Sequence, residues 1–270
     1  MNPFSGVNAL DLFEAIRCRR SYRLPFRDEP ISQEDINRVL EAARWAPSPF
    51  NIQPWEIILI DDQSVKDEIA RLTAKAIKRQ FRDPKHLDLL ARWTRLTPKE
   101  WREKGDGVLI EDHVKLPNFV ERKKLKPLLD NLKHMSVAGW LGAGALPARE
   151  FASLIRQAPL LMLILLDRSK PSPGKNGETW LLMGMGALVQ NVHLAATALG
   201  IGLQYVNAAL EDPQDRKELR RVVNAPQRLE PMTLLRMGYL CEEKPESVRR
   251  KKVDFIHLNR FGVKGKRSDL

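Results

Sequence analysis

Two short stretches near the start of the chain hold most of the residues that could grip a small molecule. The first is Arg19-Arg20-Ser21-Tyr22-Arg23. Three guanidiniums and a hydroxyl within five residues can wrap a phosphate and a polar ring edge, because an Arg fork meets phosphate oxygens two at a time. A solvated basic helix end is the other reading of the same residues. The second stretch is Ala46-Pro47-Ser48-Pro49-Phe50-Asn51-Ile52-Gln53-Pro54-Trp55. Its three prolines stiffen the backbone, so Ser48, Asn51 and Gln53 would be presented to a ligand with little entropy left to lose.

Other chemistries lack their signatures. Gly200-Ile201-Gly202 and Gly142-Ala143-Gly144 have neither the third glycine nor the strand-to-helix setting of a dinucleotide fingerprint. No Gly-x-Ser-x-Gly elbow occurs, which sets a Ser-His-Asp hydrolase aside. His86, His113, His134, His193 and His257 share no metal-ligand spacing and read as structural or surface residues.

The elements that must position the two clusters follow from periodicity. Asp11 to Arg19 reads as a short helix with Leu12, Ala15 and Ile16 on one side, running into the arginines. Ser32 is a candidate N-cap, with Glu34 and Asp35 in the first turn and Ile36, Val39, Leu40 and Ala43 at helical spacing until Pro47. Trp55 to Ile60 is a strand by its β-branched content and its proline and aspartate bounds, and a helix over Gln63 to Arg79 follows. Leu160 to Leu166 is an unbroken apolar run, as expected of a central strand covered on both faces. A helix over Trp180 to Leu199, a strand over Ile201 to Val206, a helix over Pro213 to Arg221 and a strand over Met232 to Met237 complete the pattern. The mixture indicates an α+β or α/β layered fold, read as one elaborated domain over residues 1–270. Residues 81–150 differ in character: Pro84, Pro98, Pro117, Pro127 and Pro147 break short amphipathic stretches that carry Trp93, Trp101 and Trp140. They read as a helical insertion, either a lid whose tryptophans line an acceptor pocket or a packing surface.

Lys and Arg outnumber Asp and Glu by 45 to 34, so the net charge of +11 favours anionic partners. No nucleic-acid reader motif accompanies that charge, and a phosphorylated small molecule fits it better. Cys18 and Cys241 match neither a disulfide framework nor a zinc site, which suits the cytoplasm, and the first ten residues lack a secretory pattern. Thr179 to Leu210 carries no charge, a length that could span a membrane. Gln190, Asn191 and His193 in its middle and four glycines argue instead for a helix buried on all sides, inside a core or between subunits.

Taken together, Arg19-Arg20-Ser21-x-Arg23 and, two dozen residues on, Ala-Arg-Trp-Ala-Pro-Ser-x-x-Asn-x-Gln-Pro-Trp resemble the nitroreductase family. The resemblance covers roughly residues 11 to 80, resumes over Ala158 to Leu210, and returns in the C-terminal segment ending His257-x-Asn259-Arg260-Phe261-Gly262. It implies a central mixed β-sheet flanked by helices, an intertwined homodimer, and FMN held noncovalently at the interface. By position, Arg19, Arg20 and Ser21 resemble ligands of the FMN phosphate and ribityl chain, and Arg23 a cation near N1 and O2 of the ring. Pro47, Ser48 and Pro49 resemble the segment that packs on the ring from the partner subunit, with Asn51 hydrogen-bonding nearby; Pro49 stands where a second serine is usual. Tyr205, Val206, Asn207 and Ala208 resemble the stretch facing the ring, where a backbone N–H points at N5, although relatives often carry Glu-Gly at Asn207-Ala208. Arg249, Arg250 and Lys251 occupy the place from which a basic side chain reaches the phosphate.

The implied activity is a ping-pong transfer from NADH or NADPH through FMN to a nitroaromatic, a quinone or a similar acceptor. It would explain why no acid-base pair is visible, since the cofactor carries the hydride chemistry. Two alternatives stand beside it. One is a specialised FMN reaction on the same scaffold, such as dehydrogenation, reductive dehalogenation or flavin breakdown. The other is a non-catalytic basic binding protein.

Overall fold

The computed structural model describes residues 10–109, 144–242 and 246–263. They fall into two compact units, one drawn from residues 1–79 and 144–245 and the other from residues 80–143 and 246–270. The expected insertion thus lies mostly in the second unit, whereas residues 144–150 belong to the first.

In the first unit, helices α1 (Leu12–Cys18) and α2 (Gln33–Arg44) precede strand β1 (Trp55–Ile60) and helix α3 (Gln63–Gln80). Asp11 and Ser32 cap α1 and α2, their side chains accepting from the N–H groups of Glu14 and Asp35. After residue 144 come α6 (Ala145–Arg156), β4 (Leu160–Asp167), α7 (Gly177–Ala198), β5 (Ile201–Tyr205), α8 (Pro213–Val222) and β6 (Leu229–Tyr239). The strands form one sheet in the order β1-β4-β6-β5, with every neighbouring pair antiparallel. A parallel bridge from Ser21 to Leu203 of β5 makes the sheet mixed at that edge.

Strand β4 explains its own composition, for every residue in it is buried. Leu161, Leu163 and Leu165 enter a core with Ile69 and Leu72 of α3 and Ile155 of α6. Met162, Ile164 and Leu166 point the other way, into a core with Val39 and Ala43 of α2 and Leu188 and Val192 of α7. Side chains alternate across a strand, so two covered faces demand an unbroken apolar run. Each such side chain contributes about 2 kcal/mol by leaving water. Strand β6 runs past the expected Met232–Met237 at both ends, from Leu229 to Tyr239, and Pro231, which cannot donate to a ladder, is accommodated where the register with β4 shifts between Ile164 and Leu165.

Within one chain helix α7 is covered on one side, which leaves burial of its other side to a partner subunit. Leu181, Met185, Leu188 and Val192 are buried, yet Trp180 and Met183 are exposed on its outer flank. By length and composition it could cross a membrane, but half of its most apolar window is covered within this chain, as in a core helix.

The second unit holds α4 (Pro84–Trp93), β2 (Thr94–Arg95), α5 (Pro98–Lys104), β3 (Val108–Leu109) and α9 (Lys252–Phe255), with β2 and β3 paired in parallel. Trp101 is buried there and its indole N–H donates to the Gly107 carbonyl at 3.2 Å, so it serves as a packing residue of this unit. Trp93 is exposed, and Trp140 lies outside the described residues.

Candidate functional site

The arginine segment is positioned by contacts far away in sequence. Ser21 bridges to Leu203, and the Tyr22 N–H donates to the Leu203 carbonyl at 2.8 Å, which ties the end of α1 to the edge of the sheet. Tyr22 is fully buried, and its hydroxyl accepts from the N–H groups of Cys241 and Glu242, both at 3.2 Å. In extended backbone neighbouring side chains alternate, so burying Tyr22 turns Ser21 and Arg23 to the opposite side. Two glycines make this approach possible. Gly202 and Gly238 face each other across β5 and β6. A Cβ at Gly238 would fall 2.4 Å from Phe26 Cγ, and one at Gly202 would fall 3.0 Å from Tyr22 Cγ.

Arg20 is already partly engaged. Its Nη1 donates to the Arg17 and Arg19 carbonyls, at 2.5 and 2.8 Å, closing the C-terminal turn of α1, while its Nε is buried with no partner among the described residues. Sequence spacing could not reveal that division of labour, since a capping Arg and a ligand-binding Arg look alike.

The loop after α2 holds its shape with its own bonds. Ser48 Oγ accepts from the Gln53 N–H at 2.9 Å, Asn51 Oδ1 accepts from Gln53 Nε2 at 3.0 Å, and the N–H groups of Asn51 and Ile52 donate to Ser48 and Pro49. Phe50, Asn51 and Gln53 all adopt positive φ, near +50°, a region that costs a non-glycine residue about 1 kcal/mol. The turn rests on α7 at Gly184, where a Cβ would sit 3.2 Å from the Pro47 carbonyl oxygen and 3.4 Å from Ser48 Cα. Pro47, Ser48 and Pro49 are therefore a fixed wall, and Phe50 at the tip projects an 80% exposed ring. Phe50 escaped the sequence reading because only its backbone angle and exposure set it apart.

The third expected element, Tyr205-Val206-Asn207-Ala208, leaves the end of β5 beside the arginine segment. The Val206 N–H donates to the Leu234 carbonyl at 2.9 Å. Asn207 Oδ1 accepts from the Leu234 N–H at 2.8 Å and from Thr233 Oγ1 at 3.1 Å, so its carboxamide oxygen is committed to holding the turn on β6. Ala208 follows in a short 3-10 turn over Asn207–Leu210. The Tyr205 ring lies 5.0 Å from that of His193, a residue of α7 read from the sequence as merely structural. His193 is 1% exposed and, among the described residues, neither ring nitrogen has a partner. Burial, with the Arg19 guanidinium adding to it, lowers its pKa to about 4, so the imidazole is neutral at pH 7. Burial also raises the Tyr205 hydroxyl pKa, with Arg19 opposing. Arg19, His193 and Tyr205 thus form one electrostatic cluster.

The C-terminal run belongs to the second unit. There Arg249 Nη1 donates to Ser247 Oγ and the Val248 carbonyl, both at 2.6 Å, and the Arg250 guanidinium lies 5.5 Å from the centre of the Phe255 ring. The Lys251 N–H donates to Asp254 Oδ2 at the start of α9. Gly105, with φ of +65°, lets this run pass close, since a Cβ there would stand 2.7 Å from the Arg249 carbonyl oxygen.

This arrangement, an arginine-bearing segment bridged to the edge strand β5 of an α+β fold and a stiff loop seated on a long central helix, agrees with the comparison to known proteins. The nitroreductase family model matches residues 16–239, and the chain belongs to that family. An iodotyrosine deiodinase of Thermotoga neapolitana is 22% identical over 250 residues, covering 93% of this chain and 98% of that protein. A putative NAD(P)H nitroreductase of Bacillus subtilis, YdgI, is 30% identical over 134 residues, 44% of this chain and 64% of that protein. The crystal structure of oxidized iodotyrosine deiodinase bound to FMN and 3-iodo-L-tyrosine shares the fold with a TM-score of 0.55, at 22% identity over 93% of this chain and all of that one.

Proposed function

We propose that this protein is an FMN-dependent oxidoreductase that takes reducing equivalents from NADH or NADPH and passes them to a small acceptor such as a nitroaromatic or a quinone. One observation carries the reading. The Arg19–Arg23 segment is bridged directly to the strand that leads into Tyr205–Ala208, and buried polar atoms there lack partners among the described residues. Arg20 Nε and the two His193 nitrogens are atoms of the kind a polar cofactor satisfies on binding, and orphaned buried groups are uncommon unless a ligand or water completes them.

The residues present fit FMN. Arg19, the uncommitted part of Arg20, and Ser21 would take its phosphate and ribityl chain, and Arg23 would place a cation beside the ring. Pro47, Ser48, Pro49 and Asn51 would supply a rigid wall, and the backbone of Tyr205, Val206, Asn207 and Ala208 the facing edge. When bound, FMN supplies the two-electron chemistry, and the protein supplies position, exclusion of water and a positive field. Arg249, Arg250 and Lys251 stand as further basic candidates. The exposed apolar flank of α7, with Leu12 and Phe13 of α1 also exposed, suits the interface of a homodimer. Relatives named as NAD(P)H nitroreductases support the donor.

Reductive dehalogenation is the second reading. Its support is coverage: the deiodinase match extends over nearly the whole of both chains, whereas the YdgI match spans less than half of this one.

The visible spectrum of the purified protein, followed by anaerobic titration with NADPH or NADH, tests the proposal. Flavin absorbance that bleaches with a nicotinamide nucleotide is expected. A protein that stays colourless after addition of FMN would overturn it. Bound flavin that only dithionite reduces, with iodide released from 3-iodotyrosine, would favour the second reading.

A further inference from the structure

Strand β6 carries a fully buried cation, Arg236. Its side chain is 1% exposed, and among the described residues no carboxylate pairs with it. Burial lowers its pKa to about 10, so it remains a cation at neutral pH. A buried unpaired charge is expensive, and an apolar side chain of similar volume would fill the same space at less cost. The reason for an arginine here must lie in what its fork holds.

Its nitrogens are spent on one short stretch of backbone. Nη2 donates to the carbonyls of Tyr22 at 3.1 Å and Leu24 at 2.8 Å, the two residues that flank Arg23. Nε donates to Gln204 Oε1 at 2.5 Å, and Gln204 is itself buried. The guanidinium lies 4.5 Å from the centre of the Phe26 ring, and that ring packs into the space left open by Gly202 and Gly238. The sheet cannot do this work itself. Its last ladder contact is Tyr22 N–H to Leu203, the next bridge is Phe26 to Leu240, and Pro25 between them has no N–H.

We propose that Arg236 is a positioning residue for an anion site, its buried fork fixing the Tyr22–Leu24 backbone so that the adjoining Ser21 is presented to the phosphate end of the bound flavin. This rests on the FMN reading above and deepens it by assigning phosphate selectivity to a residue that does not touch the ligand. Lysine cannot substitute, because one ammonium cannot hold two carbonyls and a carboxamide in a fixed plane. Arg236 also adds a buried positive charge beneath the segment, which a phosphate would feel and an uncharged flavin would not.

Binding of FMN and of riboflavin, which lacks only the phosphate, separates the possibilities. Fluorescence quenching would give both affinities for the wild-type protein, for Arg236→Lys, and for Gln204→Met, which removes the group orienting the fork while leaving the arginine. Circular dichroism and thermal melting would confirm that each variant is folded. The expected result is a wild type that prefers FMN, and variants in which FMN binding falls at least tenfold while riboflavin binding changes less than threefold. Equal losses for both flavins would make Arg236 a purely structural residue and overturn the proposal, as would unchanged FMN affinity in folded Arg236→Lys. A wild type that binds riboflavin as well as FMN would also overturn it, by showing that the segment does not grip phosphate. A wild type that binds neither flavin would instead bring down the FMN reading itself.

Discussion

The arginine segment at residues 19–24 and the proline loop at residues 46–54 both present polar groups, yet they are held in opposite ways. The loop is closed on itself by bonds that span no more than five residues, from Ser48 to Gln53 and from Asn51 to Gln53, and only its far end is tied elsewhere, through the Gln53 and Pro54 carbonyls to Lys170 and Asp167. The segment is held by Leu203, Arg236, Cys241 and Glu242, all some 180 or more residues further along the chain. Disturbance of the loop should therefore stay local, whereas disturbance of the segment's supports should reach the sheet.

The largest expected effect is in the cluster beside the segment. His193 has its pKa lowered from 6.5 to about 4 in the folded protein, so the unfolded chain binds the proton more readily. Stability should be fully present above pH 6.5 and should fall by about 3 kcal/mol as the pH drops through 6.5 to 4. Urea unfolding across that range, in wild type and in His193→Leu, measures the contribution. A leucine variant with the same acid loss would disconnect His193 from it.

Gly238→Ala comes next. The new Cβ meets Phe26 close to its backbone, where the ring cannot simply swing away, and overpacking of this kind costs about 2 kcal/mol. A denaturation midpoint unchanged from wild type would mean that the Tyr22–Phe26 stretch is not held against the glycines in solution.

In the loop, Ser48→Ala removes the acceptor for the Gln53 N–H and should cost about 1 kcal/mol. Faster proteolysis confined to residues 47–54, with little change in global unfolding, is the signature of a self-contained turn. A broad rise in hydrogen exchange through β5 and β6 would erase the contrast between the two regions. The smallest effect is a gain. Phe50→Gly relieves a left-handed backbone and should stabilise by about 0.5 kcal/mol, net of glycine's greater freedom when unfolded, readable as a small rise in Tm.

The same contrast explains what could be read in the sequence. Trp55–Ile60 was legible to the residue, and Leu160–Leu166 fell one residue short, because an apolar run between breakers reports its own burial. Ser32 was legible as a cap because its partner Asp35 is three residues away. The Ala-Pro-Ser loop could be recognised as rigid for a similar reason. The anchoring of the Asn207 carboxamide, by contrast, left no mark in the sequence, because only the fold brings Leu234 and Thr233 to it. His193 looked structural because nothing nearby in sequence marks Tyr205 and Arg19 as its neighbours. Arg236 drew no notice inside an apolar strand, although a lone charge within such a run is itself a signal. The uncovered flank of α7 was equally hidden, since an all-apolar helix shows no face.

The strand order β1-β4-β6-β5 has a consequence for how the chain is made. An arginine segment that emerges early in synthesis has no permanent support until residues 201–242 have left the ribosome. Such long-range pairing is slow to form, so under the proposed function the grip on FMN would be among the last features to mature. Free FMN in the cell would then act on the finished product, trapping molecules that have completed assembly rather than guiding those still under way.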